Sequence, residues 1–400
     1  MVVSLSSFAL AFAMTATGLG FATVLSTASI RLNEYKYREI EGLRGLLAFW
    51  VFIHHTYVWK IYASTGEWST PSDHLFAHLG KSSVAVFFMI TAFLFTDRLI
   101  DRNRSIRWSE FAVARLFRLF PAYLIAAAFV FLLALLKSGF ELKVAPIVLL
   151  RQAVQWGGLG LFGAPDVNQV VDTGLMIAMV SWSLPFEVLF YLTLPIAGIA
   201  LSKRPAPFVA FTCVALTAFL LSRGMDLLWL LAFLPGVAAA VIVRSAAIAA
   251  FVRSTPFAFT CAVLVLAGIW KSTSFFEPLV FAGLSGLFAS VASGNSLWGV
   301  LRSRGADFLG RISYSVYLFH GLVLYVAADV ILGLRTIAEM DGTRYGLLMT
   351  ALGCVVISVA FLVFQRIEAP GIAFGHRIIA AMRRQKPAVV DAAEVSEPTT

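Results

Sequence analysis

Charge is scarce in this chain. Only 13% of its 400 residues are Asp, Glu, Lys or Arg, while 60% are hydrophobic. A soluble domain carries roughly a quarter of its residues as charged groups, so a water-exposed globular fold is excluded. Cysteine is also rare. Cys213, Cys261 and Cys354 each fall within an apolar run, and no pair has metal-ligand spacing, which argues against a disulfide framework or a metal site. The first 30 residues contain no Lys or Arg, so they lack the basic segment that opens a signal peptide. No internal repeat is evident.

What fills the chain instead is apolar runs long enough to cross a ~30 Å hydrocarbon core. They lie near 5–30, 45–64, 82–97, 119–137, 181–201, 207–222, 227–243, 256–270, 278–292, 312–333 and 346–365. The expected fold is all-α, a polytopic transmembrane bundle of about ten core spans. The first run reads either as one additional span, its N-terminus outside, or as an upstream extension. Residues 1–30 form that segment, 31–370 the membrane domain, and 371–400 a basic stretch followed by a disordered tail from about 385.

The net charge of +9 has a source that needs no nucleic acid, because basic residues gather in cytoplasmic loops. With Arg31–Arg44 placed inside and sides alternating thereafter, 22 of the 31 basic residues fall inside. That places both ends of the ten-span core in the cytoplasm. The region 138–180, with "RQAVQWGGLGLFGAP", is long for a turn; it reads as an outside re-entrant or interfacial segment, whose irregular backbone needs cover from protein or water.

Ionisable groups within spans are functional candidates because lipid makes them costly. In "EGLRGLLAFWVFIHHTY", Arg44 and His55 are eleven residues apart, ~20° in direction and ~16 Å along a helix axis. His55 should therefore line, at greater depth, any cavity that Arg44 lines. His54 points elsewhere and reads as a packing residue. In "EFAVARLFRLFPAY", Arg115 and Arg118 share a helix face and offer two planar forks suited to phosphate, although arginines at an inside boundary also serve topology. In "SWSLPFEVLFY", Ser183, Glu187 and Tyr191 share a face. A carboxylate there needs a histidine or arginine partner, and a structural salt bridge competes evenly with a catalytic role. Tyr314, Tyr317 and His320 in "GRISYSVYLFHG" suit an interfacial anchor, with His320 structural. Asp73, His74 and His78 sit in an outside loop, where they either meet an acceptor or bind nothing.

Taken together and in order, "EIEGLRGLLAFWVFIHH", "SVAVFFMITAFLF", "ARLFRLFPAY", "SWSLPFEVLFY", "GRISYSVYLFHG" and "RIEAP" resemble the acyltransferase-3 family of integral membrane O-acyltransferases, from about Arg38 to Pro370. The resemblance implies that Arg44 and His55 match the family's Arg/Lys-to-His spacing. It also implies that Arg115 and Arg118 match an Arg-x-x-Arg motif tied to acyl-CoA, and that Trp182, Ser183, Leu184 and Glu187 match Trp-Ser-Leu-x-x-Glu. Departures are Glu41 for the usual Asp, Thr91-Ala92 for Ser-Gly, and the extra N-terminal run. Some relatives carry a fused extracellular hydrolase-like domain, which is not expected in the short stretch after the last span.

On that resemblance the expected activity is acyl transfer, most simply acetyl, from acyl-CoA to a hydroxyl of a surface or secreted carbohydrate in a bacterial inner membrane. Arg44, Arg115 and Arg118 would hold the donor. His55 would be the general base or an acyl carrier, Glu187 a second catalytic group, and Ser183 and Tyr191 supports. No permanent cofactor or metal is expected; the partners are acyl-CoA, the carbohydrate and membrane lipid. A transporter is the rival class, although the chain shows neither inverted repeats nor paired broken helices.

Overall fold

All regular elements are helices in the computed structural model, which describes residues 4–27, 36–101, 106–200, 206–222 and 224–384. They are α1 (Leu5–Thr27), α2 (Arg38–Thr65), α3 (His74–Ile100), α4 (Trp108–Lys137), α5 (Pro146–Gly157), α6 (Leu184–Ala200), α7 (Pro207–Ser222) and α8 (Leu234–Ile242). There follow α9 (Ala246–Val252), α10 (Thr255–Ile269), α11 (Pro278–Ala292), α12 (Arg304–Arg311), α13 (Ser313–Tyr325), α14 (Leu334–Glu339), α15 (Gly342–Val363) and α16 (Ala369–Arg384). The tail from 385, Arg31, Arg102, Arg104, Lys203 and Arg204 lie outside the described residues.

Each apolar run expected to span is helical over its described residues. By length and apolarity alone six helices among the described residues qualify to cross a membrane, or seven if α9 and α10, bent by 56°, form one span. α7, α11 and the apolar segment ending in α8 are shorter. α2 does not qualify, because past the charges of its first two turns the apolar stretch is interrupted by His54, His55 and Lys60. The count of ten is therefore not established by length and composition.

The polar contacts sort into two ends of the bundle. Lys36 and Arg244 pair with Asp97 (2.8 and 2.9 Å), Arg302 with Glu39, and Arg383 with Glu110 (2.6 Å). At the other end Ser7 donates to Asp73, Lys60 donates to the carbonyls of Ile337 and Met340, and Lys137 pairs with Asp329. Every one of these contacts joins residues that the alternating topology puts on one side. The Asp97 hydrogen bond raises the pKa of Lys36 above its ordinary value.

α1 is part of the assembly. Met14 and Ala22 are buried, Trp50 Nε1 donates to Thr15 Oγ1 (3.3 Å), and Gly18 faces the Phe49 ring. Its start shares an end of the bundle with Asp73.

α2 is the central strut, packed on α3, α12 and α13. Gly310 of α12 lies so close to the Glu41 carbonyl that a Cβ would overlap it. Small residues permit such backbone contact between apolar helices. Gly310→Val is therefore expected to cost about 1–3 kcal/mol through overpacking, seen as a lower melting midpoint of the purified protein.

Between α4 and α6 the chain folds back into the core. α5 keeps Ile147, Leu150 and Val154 exposed and buries Trp156, which donates to the Pro165 carbonyl (2.8 Å). Buried Asn168 donates to Ser138 Oγ and the Glu141 carbonyl (both 2.8 Å) and accepts from Lys143 N–H. Thr173–Ile177 then enters the core as a 3₁₀ turn against α13, where Gly321 leaves no room for a Cβ beside the Ile177 carbonyl carbon. Ala178 and Met179, both left-handed (φ 51° and 57°), reverse the chain and deliver Ser183 to the start of α6. A segment dipping inward from one side fits the re-entrant expectation.

Candidate active site

Three arginines from two helices converge on one cavity of about 110 Å³. Arg44 comes from α2, Arg115 and Arg118 from α4, and Ser183, Glu187 and Tyr191 line the opposite side. Phe87, Phe88 and Phe95 of α3 form an apolar wall, and Tyr314 and Tyr317 of α13 close the remaining side. The sequence spacing that put these residues on shared faces thus brings six of the seven candidates together. The volume suits a phosphate-sized head or the end of an extended arm, and is well below the ~300–1,000 Å³ of a pocket enclosing a whole nucleotide.

Each charge has a defined neighbour. Arg44 Nη1 pairs with Glu41 one turn earlier (3.2 Å). Arg115 lies over the Phe95 ring, 5.1 Å from its centroid, and its Nε has no hydrogen-bond partner. Arg118 stands among Arg44, Arg115, Glu368 and Glu41. The Tyr191 hydroxyl donates to Glu187 Oε1, and Glu187 acts on Arg44. Of the two partners expected for Glu187, imidazole or guanidinium, only the arginines share its cavity, and its hydrogen-bond partner is the Tyr191 hydroxyl. An arginine set with an unused Nε–H and a low-dielectric wall can hold an anion.

His55 does not line this cavity, contrary to the helical-wheel expectation. The wheel gives direction only, and side chains of α13 fill the space outward of Arg44. His55 instead meets His320, Nδ1 to Nε2, at 3.0 Å. His55 Nδ1 also faces the Val51 carbonyl (3.0 Å), and His320 Nδ1 faces the Val316 carbonyl (3.1 Å). Carbonyls only accept, so in the neutral pair both Nδ1 atoms carry protons. His320 Nε2 is then a lone pair that accepts from His55 Nδ1–H. That assignment leaves His55 Nε2 unprotonated and available as a base.

Tyr317 links the two sites. Its hydroxyl is hydrogen-bonded to Ser183 Oγ at the cavity (2.8 Å), and its ring lies 6.2 Å from that of His320. On the far side Trp68 stacks over His55 at 6.0 Å. His54 meets the His55 ring edge-on (4.8 Å between centroids) but is itself bonded to the Phe76 carbonyl (2.7 Å) and packed on Gly80. The residues expected in the outer loop instead start α3 and serve structure: Asp73 caps that helix, while His74 and His78 within it bond the carbonyls of Ile269 and Ser272.

The sequence reading took Tyr317 as an interfacial anchor and His320 as structural, and it did not single out Glu368. The rule that singled out His55, an imidazole inside an apolar helix, applies equally to His320. What sequence lacks is the distance between two helices 265 residues apart.

The acyltransferase-3 profile, described as an acyltransferase domain, matches residues 37–364. The chain belongs to the acyltransferase-3 family. Nodulation protein 10 of Rhizobium leguminosarum bv. viciae is 30% identical over 169 residues, which is 38% of this chain and 42% of that protein. The chain thus aligns with less than half the length of that relative. No solved structure matches. At the departure Thr91-Ala92 the close approach falls to Gly236 of α8, which lies against the Met89 carbonyl and Ala92. Thr91 faces the cavity, and Glu41 keeps the carboxylate that the usual Asp provides beside Arg44.

Proposed function

We propose that the protein transfers an acyl group, acetyl first, from acyl-CoA to a hydroxyl of a cell-surface or secreted carbohydrate. It would do so in a bacterial inner membrane with the core termini cytoplasmic. The observation that carries this reading is a three-arginine cavity joined through Tyr317 to a histidine pair with one free imidazole nitrogen.

Phosphate oxygens of the donor engage Arg44, Arg115 and Arg118, and the arm carries the thioester past Ser183 and Tyr317. His55 Nε2 removes the acceptor hydroxyl proton as its oxygen attacks the thioester carbonyl. The C–O bond forms, the C–S bond breaks, and the departing thiolate takes the proton from the imidazolium. His320 accepts from His55 Nδ1–H throughout, fixing the tautomer and sharing the imidazolium charge, as the third member of a nucleophile–base relay does. Glu187 and Tyr191 hold the arginine side of the site, and Ser183 holds Tyr317.

Purified protein in nanodiscs with radiolabelled acetyl-CoA and a candidate glycan tests this directly. Label in the glycan supports transfer; intact donor with solute movement into vesicles would instead favour a transporter. His320→Ala is expected to lower kcat about 10–100-fold with donor KM unchanged, within the range for acid–base groups. His320→Gln should restore part of the rate, since its amide oxygen also accepts from Nδ1–H. Steady-state kinetics of the three proteins decides it.

A further inference from the structure

Each histidine of the pair is followed, about one turn further along its helix, by an aromatic residue. Trp59 comes four residues after His55 in α2, ~6 Å along the axis, and Tyr325 ends α13 five residues after His320. Tyr62 adds another ring near the end of α2. Because α2 runs from Arg44 through His55, these rings continue away from the arginine cavity, and none of them lines it. A fourth ring, Trp68, comes from the loop between α2 and α3. It stacks over His55 (6.0 Å between centroids, 22° between planes) and meets Trp59 and Tyr62 edge-on at 5.4 and 5.9 Å. Trp59 in turn meets Tyr62 at 5.6 Å and Tyr325 at 6.0 Å, so the four rings form one connected group on the outer side of the histidine pair.

Two features distinguish this group from ordinary core packing. Trp59 is 1% exposed, yet its indole N–H has no hydrogen-bond partner, whereas a buried indole usually finds one. Trp68, which covers the base, is held by no hydrogen bond. Among the described residues the bonds on either side of it stop at Glu67 and resume at Asp73, and Gly66, left-handed at φ 76°, ends α2 just before the loop. At the rim Lys137 lies over the Tyr325 ring (5.1 Å to its centroid) and pairs with Asp329 (2.7 Å), and both side chains are partly exposed. Ring faces, an unused N–H and a charged rim together match a pyranose. Its C–H faces lie on the negative faces of aromatic rings, and its hydroxyls both accept and donate.

We propose that Trp59, Tyr62, Trp68 and Tyr325 form the acceptor subsite, and that Trp68 is its lid, shielding His55 until a pyranose lifts the loop and lies between the indole and the imidazole. This rests on the reading of His55 as the base of an acyl transfer. With the lid removed, water takes the acceptor's place. His55 Nε2 receives a proton from water as its oxygen attacks the thioester carbonyl. The C–O bond forms, the C–S bond breaks, and the thiolate takes the proton from the imidazolium, releasing free acid and thiol. Exclusion of water from a reactive site suppresses this side reaction.

Trp68→Ala is tested with acetyl-CoA alone and with methyl glycosides of glucose, galactose, mannose and N-acetylglucosamine as acceptors. Hydrolysis of acetyl-CoA without glycoside should rise roughly threefold or more. Acceptor KM should rise about fivefold or more, the scale of one lost ring face, with donor KM as in the wild type. Trp68→Phe should return most of the shielding and part of the acceptor affinity. A Trp68 that only packs would lower the melting midpoint and move neither quantity. A wild-type value of either one in a folded Trp68→Ala protein overturns the proposal.

Should Trp68→Ala fail to accumulate, Tyr62→Leu carries the test, because it removes a neighbouring face of the same platform. Acceptor KM should again rise, and an unchanged KM overturns the proposal. Acetyl-CoA turnover that responds to His55→Ala but not to Trp68→Ala sinks the lid and keeps the acyl-transfer reading. Hydrolysis raised by Trp68→Ala with no transfer to any glycoside overturns the pyranose platform. No acetyl-CoA turnover in either protein, with or without glycoside, sinks the lid and the reading together.

Discussion

His55→Ala is expected to lower acyl transfer about 10³-fold or more while the protein still inserts and folds. The general-base contribution alone is typically 10²–10⁴-fold, and no other described group can take its place. His320 sits on another helix with its Nδ1 held at the Val316 carbonyl, so the Nε2 that the variant frees is displaced from the position of His55 Nε2, while His54 is bonded to the Phe76 carbonyl. The side chain is buried beneath Trp68, so the variant leaves a small cavity and a modest stability loss. Folding is checked by melting midpoint and transfer by donor consumption. Transfer near the wild-type rate from a well-folded His55→Ala protein would end the mechanism proposed here.

The second large effect is expected at Arg118. Arg118→Met keeps the apolar stem and removes the fork, and should raise donor KM about 10–100-fold with a much smaller change in kcat. Two charge-assisted hydrogen bonds to phosphate are lost. Arg118→Lys should recover less than half of that loss on a logarithmic scale, because an ammonium cannot match a bidentate phosphate contact. If Arg118 served only the inside charge bias of the membrane topology, Lys would restore function fully and Met would leave KM untouched. Measuring donor KM for the three proteins separates the cases.

The two variants probe different parts of the molecule, which is the lesson of the fold. Arg44 and His55 share a helix face, yet a cavity and a histidine pair divide that face between them. Tyr317 and Ser183 stand at the border, so donor binding and proton transfer should respond separately to mutation. Glu187 illustrates the same division. Its place in a Trp-Ser-Leu-x-x-Glu motif allowed it to serve either the imidazole or an arginine; the chain reversal at Ala178–Met179 sets α6 beside α4 and the arginines.

The sequence by itself determined that the chain is a helical membrane bundle, because apolar runs and sparse charge leave no other way to satisfy backbone polar groups in lipid. It also determined the six-motif family membership and the polar faces carrying Arg44, Arg115, Arg118, Ser183, Glu187 and Tyr191, since helical periodicity converts spacing into direction. Only the tertiary structure decided which faces meet. Helical periodicity contains no distance between helices, so the His55–His320 contact and the Ser183–Tyr317 bond came from packing. That packing rests on close backbone contacts such as Gly310 on Glu41 and Gly321 on Ile177.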